Sequence, residues 1–191
     1  MSIPRRVEDL DDLLAEIERQ EHEVADLFQR VPGEAAEWRP GPGRWSMTGH
    51  LAHLGVVGEA YVGALEAAVE KAREEDAPES EGPYRHPWLS RRFARMMDPP
   101  PTLRVRTFKT MVPDPHVTPE EAVERFRGLL GRLGAAIESA RGLDLGAVRV
   151  PSPFFSLLRF SLGAAFEIVL AHDRRHVWLM REVMESEGFP G

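Results

Sequence analysis

Four stretches of this chain repeat apolar side chains every three to four residues, and that period leaves room for little except long amphipathic helices. The first runs from about Val7 to Arg30, with Leu10, Leu13, Leu14, Ile17, Val24, Leu27 and Phe28 on one side and acids between them; Pro32-Gly33 stops it. After a loop, EAAEWRPGPGR, the second runs from an N-cap at Ser46 to about Arg73. Its inner half holds Met47, Leu51, Leu54, Val57, Tyr61 and Leu65, and Glu59, Glu66 and Glu70 mark the outer side. The third opens on Thr118, with Pro119 in the first helical position and Glu121 completing a capping box; Gly142 closes the region. The fourth spans about Ser161 to Glu185, with Leu162, Phe166, Val169, Leu170, Val177, Met180 and Val183 on one face.

Four such helices with little strand signal predict an all-α four-helix bundle, one domain over residues 1–191. Residues 74–117, rich in Pro, Glu and Gly, form a long irregular insertion between the second and third helices, with one short helical candidate, WLSRRFARMM. Its Trp88, Phe93 and Met96 are candidates to cap a pocket, and plain packing is the competing reading for each.

Composition narrows the function. A formal net charge of -7, with no Lys/Arg stripe on any predicted helix, argues against a nucleic-acid partner. The apolar runs are broken by charges before they reach a membrane span, and the opening MSIPRRVEDLDDLL has no apolar signal core. The expected setting is therefore cytoplasmic, with no membrane partner. The chain has no cysteine, so any metal is held by nitrogen and oxygen, and any thiolate arrives from outside.

The histidines supply the candidate site. His172 and His176, four apart on the fourth helix, place two imidazoles on one side a turn apart, the spacing with which two ligands grip one ion. His50 and His53 share the inner half of the second helix, and either could add a third imidazole, leaving coordination positions open. Periodicity puts His50 deeper and His53 nearer the edge, but spacing alone does not choose between them. Asp173 falls near the middle of the fourth apolar stripe, where a carboxylate is costly unless paired. It is expected either to accept a hydrogen bond from a ligand histidine or, the favoured reading, to form a salt bridge at the rim; it is also a weak candidate for a general base. His22, His86 and His116 lack a partner at ligand spacing and read as surface residues.

Two segments carry a family resemblance. GRWSMTGHLAHLGVVGEAY resembles the second-helix signature of the DinB/YfiT-like superfamily, a Trp-Ser/Thr start followed by a histidine eight residues on, and FEIVLAHDRRHVWLMREV resembles its fourth-helix His-x-x-x-His pair. RTFKTMVPDPHVTPEEAVERF is similar to the loop and third helix of that family, so the likeness covers nearly the whole chain. The resemblance implies an up-down-down-up four-helix bundle with a metal on three histidines, here His53, His172 and His176. The register from Trp45 selects His53 and leaves His50 where the family usually has an apolar side chain, so His50 is expected beside the site rather than on the metal. Many members carry Gln where this chain has Leu179.

Members of the superfamily share a scaffold more than a reaction. Some are S-transferases using bacillithiol or mycothiol, one is a mycothiol-dependent maleylpyruvate isomerase, and many are named metal-dependent hydrolases. The resemblance therefore implies a metal-dependent thiol S-transferase or hydrolase acting on a small-molecule substrate, with a divalent ion, zinc or nickel, and a low-molecular-weight thiol as cosubstrate. A homodimer is expected. The rival reading is a dimerising, non-catalytic stress-response bundle that binds a metal or small molecule.

Overall fold

In the computed structural model, which describes residues 10–80, 88–100, 107–155 and 157–191, all four stripes fold into helices. These are α1 (Leu10–Arg30), α3 (Met47–Glu74), α5 (Pro119–Ser139) and α6 (Leu162–Met184). Two shorter helices, α2 (Gly33–Ala36) and α4 (Trp88–Met97), and a 3-10 turn (Lys109–Met111) occupy the connections. The expected start of the first helix at Val7 lies outside the described residues, as does His86.

Side-chain chemistry sets the ends of the helices. Ser46 Oγ accepts from the Gly49 amide at 3.0 Å, capping α3. At α5 both halves of the capping box form: Glu121 N–H donates to Thr118 Oγ1 at 3.2 Å, and Thr118 N–H donates to the Glu121 carboxylate at 3.0 Å. The chain leaves α5 through Gly142 at φ +83°, a left-handed conformation that costs glycine nothing.

α3 packs against α5 and α6, and α1 closes the ring against the same two helices. α1 and α3 thus lie across one diagonal of the ring, and α5 and α6 across the other. Met47, Leu51, Leu54, Leu65, Leu130, Leu133, Ile137, Phe166 and Leu170 fill the centre and are almost fully buried. α4 lies against α6.

Two features depart from the sequence reading. The loop after α1 contains the helical turn α2, tied to α3 by Thr48 Oγ1 donating to the Ala36 carbonyl at 3.1 Å. The stretch before α6 contains a hairpin, β1 (Arg149–Pro151) paired antiparallel with β2 (Arg159–Ser161). Three-residue strands are too short to display a period of two, which is why pattern reading passes over them.

Candidate metal centre

The seam between the first turns of α3 and the middle of α6 brings four histidines together. His53, His172 and His176 each offer a ring nitrogen, and these three atoms lie within 4.8 Å of one another. His53 Nε2 and His172 Nε2 are 3.4 Å apart. Two nitrogens bound tetrahedrally at 2.0–2.1 Å from one zinc ion stand about 3.3 Å apart, so this separation fits a shared cation. The second helix thus brings His53, not His50, into the convergent trio that could hold a metal ion.

The other nitrogens decide whether the trio can act as ligands. His53 Nδ1–H donates to the Met111 carbonyl at 2.7 Å, which leaves the Nε2 lone pair facing His172. His50 Nδ1 and His176 Nδ1 are 3.1 Å apart. One proton lies between them; with His176 as donor, His176 Nε2 keeps its lone pair for a cation. His50 is therefore a hydrogen-bonding neighbour of one of the three candidate ligands. Burial pushes His50 and His172 down to about 3, helped by the neighbouring His53, and it pushes His53 and His176 down as well. The imidazoles are held neutral, the form that ligates.

Trp45 covers the cluster. Its ring centroid lies 4.8 Å from that of His53 and 6.1 Å from that of His176, stacked at 30° on the latter, and it meets His50 edge-on at 5.4 Å. His50, His53 and His176 are buried, while the His172 side chain keeps 19% of its surface exposed, so His172 marks the side open to solvent. The expectation that His50 is the deeper of the α3 pair does not hold by exposure, 9% against 4% for His53. The 3-10 turn and Trp45 roof His53 from outside the helix, which the periodicity of α3 cannot register.

Asp173 departs from the favoured expectation. It is buried rather than part of a rim salt bridge, and the guanidinium beside it in sequence, Arg174, goes instead to Asp98 (2.9 and 2.5 Å) and Glu16 (3.1 Å). Burial raises the Asp173 carboxyl to about 8, against the pull of Arg174. Its nearest approach to a ligand is 4.0 Å from Oδ1 to His172 Nδ1, too long for a hydrogen bond and on the side of the ring away from His53. Sequence reasoning used Trp45 only to set the register, although an aromatic five residues before one histidine and eight before another signals a stacking partner. It missed the Met111 carbonyl, which a side-chain motif cannot announce. His22 and His116 are exposed, as expected. Met96 is 38% exposed, and the Trp88 and Phe93 side chains lie outside the described residues.

No curated protein and no solved structure matches this chain. The family model of the DinB superfamily does, over residues 16–180, a span that contains all four site histidines, the whole of α3 and α5 and most of α1 and α6. With that match over most of its length, and with a helical bundle whose second and last long helices carry the three-histidine cluster, the chain belongs to the DinB superfamily.

Proposed function

We propose that this protein is a metal-dependent enzyme in which His53, His172 and His176 hold one divalent ion, and in which a low-molecular-weight thiol is transferred to a small electrophilic substrate. The observation that carries the reading is the convergence of three imidazole nitrogens within 4.8 Å, with the Nδ1 atoms of His53 and His176 already engaged elsewhere. Zinc or nickel suits such a donor set. When bound, the ion supplies Lewis acidity, lowering a coordinated water from roughly 15.7 to about 7 and holding a coordinated thiol as thiolate.

The chain's own residues divide the remaining work. His53 and His176 are oriented by Met111 and His50, Trp45 keeps water from one side of the cluster, and His172 borders the approach from solvent. With no cysteine in the chain, the thiol comes from the cosubstrate. Thiol transfer is favoured over hydrolysis because hydrolysis calls for a general base in front of the ion. Asp173, the only acid the sequence offered, sits behind the His172 ring. The protein is proposed to act in the cytoplasm as a homodimer, which light scattering of the purified protein checks.

The test is elemental analysis of untagged protein, followed by an assay of thiol consumption with a halo-aromatic electrophile. About one divalent ion per chain is expected, lost in His53→Ala, His172→Ala and His176→Ala. Variants that keep full occupancy overturn the site. A loaded protein that turns over no thiol and no hydrolytic substrate across a broad screen supports the non-catalytic binding bundle instead.

A further inference from the structure

Acidic residues are common in this chain, 31 in 191, and two of the stretches that lack them also carry exposed apolar side chains. Residues 99–113 and 145–166 contain no Asp or Glu and hold five cations, Arg104, Arg106, Lys109, Arg149 and Arg159. Each of these stretches therefore carries net positive charge in a chain whose net charge is -7. The structure joins them: the Phe108 and Phe155 rings meet edge to face with centroids 5.7 Å apart.

The same place gathers exposed apolar surface. Among the described residues, the large hydrophobics that stand exposed are Met96, Phe108, Val112, Phe155, Leu157 and Leu158, and all but Met96 belong to these two stretches. Leu157, at the turn of the hairpin, is 96% exposed. The hairpin is built to hold that turn outward. Val150 and Phe160 are buried as a cross-strand pair, while Arg149 and Arg159 point to solvent. Phe154 anchors the turn to the bundle by an edge contact with Tyr61 at 5.5 Å. Ser152 N–H donates to Leu158 O at 2.9 Å, and Leu158 N–H donates to Phe155 O at 2.8 Å, tightening the loop beyond. Among the described residues, Lys109, Arg149 and Arg159 form no ion pair, whereas Arg127, Arg132, Arg141, Arg174 and Arg181 all do.

We propose that the hairpin turn and the neighbouring 107–112 segment form an apolar tip with a cationic base that docks on an anionic lipid surface. No described helix is long and apolar enough to cross a membrane, so the contact is peripheral. Exposed aliphatic and aromatic side chains enter the interface while lysine and arginine at the base meet lipid phosphates. A small ligand does not explain a leucine surrounded almost wholly by solvent. A second copy across a two-fold axis would bring the same unpaired guanidinium groups together. Single-stranded nucleic acid calls for open aromatic faces, but here the two rings are turned edge to face, and aliphatic side chains make up the rest of the tip.

The experiment is flotation of the metal-loaded full chain with vesicles of pure phosphatidylglycerol or pure phosphatidylcholine, at low and high salt. The protein is expected to float with phosphatidylglycerol at low salt, to release as salt rises, and to stay in solution with phosphatidylcholine. Arg149→Ala/Arg159→Ala is expected to weaken partitioning about 30-fold, from a factor of about five per cation, and Leu157→Asp at least about 10-fold. Unchanged metal content and circular dichroism in these surface variants show that the fold is intact. Wild-type protein that floats with neither vesicle, or variants that float as well as wild type, overturn the proposal. So does a dimer that Leu157→Asp splits, or retention on single-stranded DNA, when no vesicle binding is seen; these outcomes assign the tip to a second copy or to nucleic acid.

Discussion

α3 meets its two neighbours in opposite ways. Toward α5 it presents small residues: a Cβ added at Gly55 would come within 3.0 Å of Arg125 Cδ, and one at Gly58 within 3.0 Å of Leu129 Cδ1. The helices therefore approach closely, and buried Phe126, Leu129, Leu130 and Leu133 line α5 without a polar atom. Polar contacts there stay at the rim, where Arg132 bonds Glu66 and Glu59. Toward α6, five and two residues before Gly55, the same helix presents His50 to His176 and His53 to His172. One seam is closed by dispersion and needs no guest. The other buries imidazoles, and the ring nitrogens of His53, His172 and His176 come within 4.8 Å of one another, so on the proposed reading its stability is linked to a bound cation.

That contrast sets the order of expected effects. The largest is on adding metal: at a free concentration 1,000 times Kd, a divalent ion should stabilise the native chain by about 4 kcal/mol. For a chain of this length that moves the thermal midpoint up by about 8–16 °C. The increment should vanish in His53→Ala. Calorimetry of stripped and reloaded protein checks it, and equal midpoints in the two states would show that the α6 seam is as self-sufficient as the α5 seam. Next is Leu129→Ala in the dry seam, where Leu129 faces Gly58; it should cost about 3 kcal/mol in denaturant unfolding, from lost transfer energy and an unfilled cavity. Its metal affinity should stay at the wild-type value; a parallel loss of metal would mean the two seams are one cooperative unit.

His50→Leu sharpens the comparison from inside the wet seam. Leucine restores an apolar side chain at that position while removing the partner of His176 Nδ1. Metal affinity should fall about 10–100-fold, the usual effect of losing the group that orients a ligand histidine. Competition against a chelator of known affinity measures it. Wild-type affinity in His50→Leu would mean that His176 is oriented by packing against Trp45 alone.

These residues also show how far the sequence could be read. The helices were legible because each buries a stripe with its own period, and the α5 start because Thr118, Pro119 and Glu121 are a local code. The three-histidine cluster was legible only in part. His172 and His176 announce themselves by spacing, but the choice of His53 over His50 depends on where α3 sits against α6. That is a contact between residues more than 100 apart, and no local period reports it; the family register selected His53. Asp173 misled because its place on the helical wheel suggested an arginine partner, whereas Arg174 reaches Glu16 and Asp98, one of them in the insertion whose path the sequence does not specify. The hairpin was missed because its buried Val150–Phe160 pair is too short to look periodic.

The smallest effect belongs to the rim of the dry seam. Arg132 grips Glu66 with two nitrogens at 2.9 and 2.7 Å and Glu59 with a third at 2.7 Å, and these carboxylates hold its guanidinium firmly charged. The geometry is favourable, yet about two fifths of the Arg132 and Glu66 side chains and half of Glu59 remain exposed, so water and salt screen the attraction. Arg132→Ala should therefore cost under about 1 kcal/mol at low ionic strength, less as salt is added, and leave metal affinity untouched. Urea unfolding of wild type and Arg132→Ala at two salt concentrations decides it. A cost of several kcal/mol that persists in high salt would mean that the α3–α5 seam is held by its charged rim rather than by the close approach at Gly55 and Gly58, and the division between a dry seam and a wet one would fail.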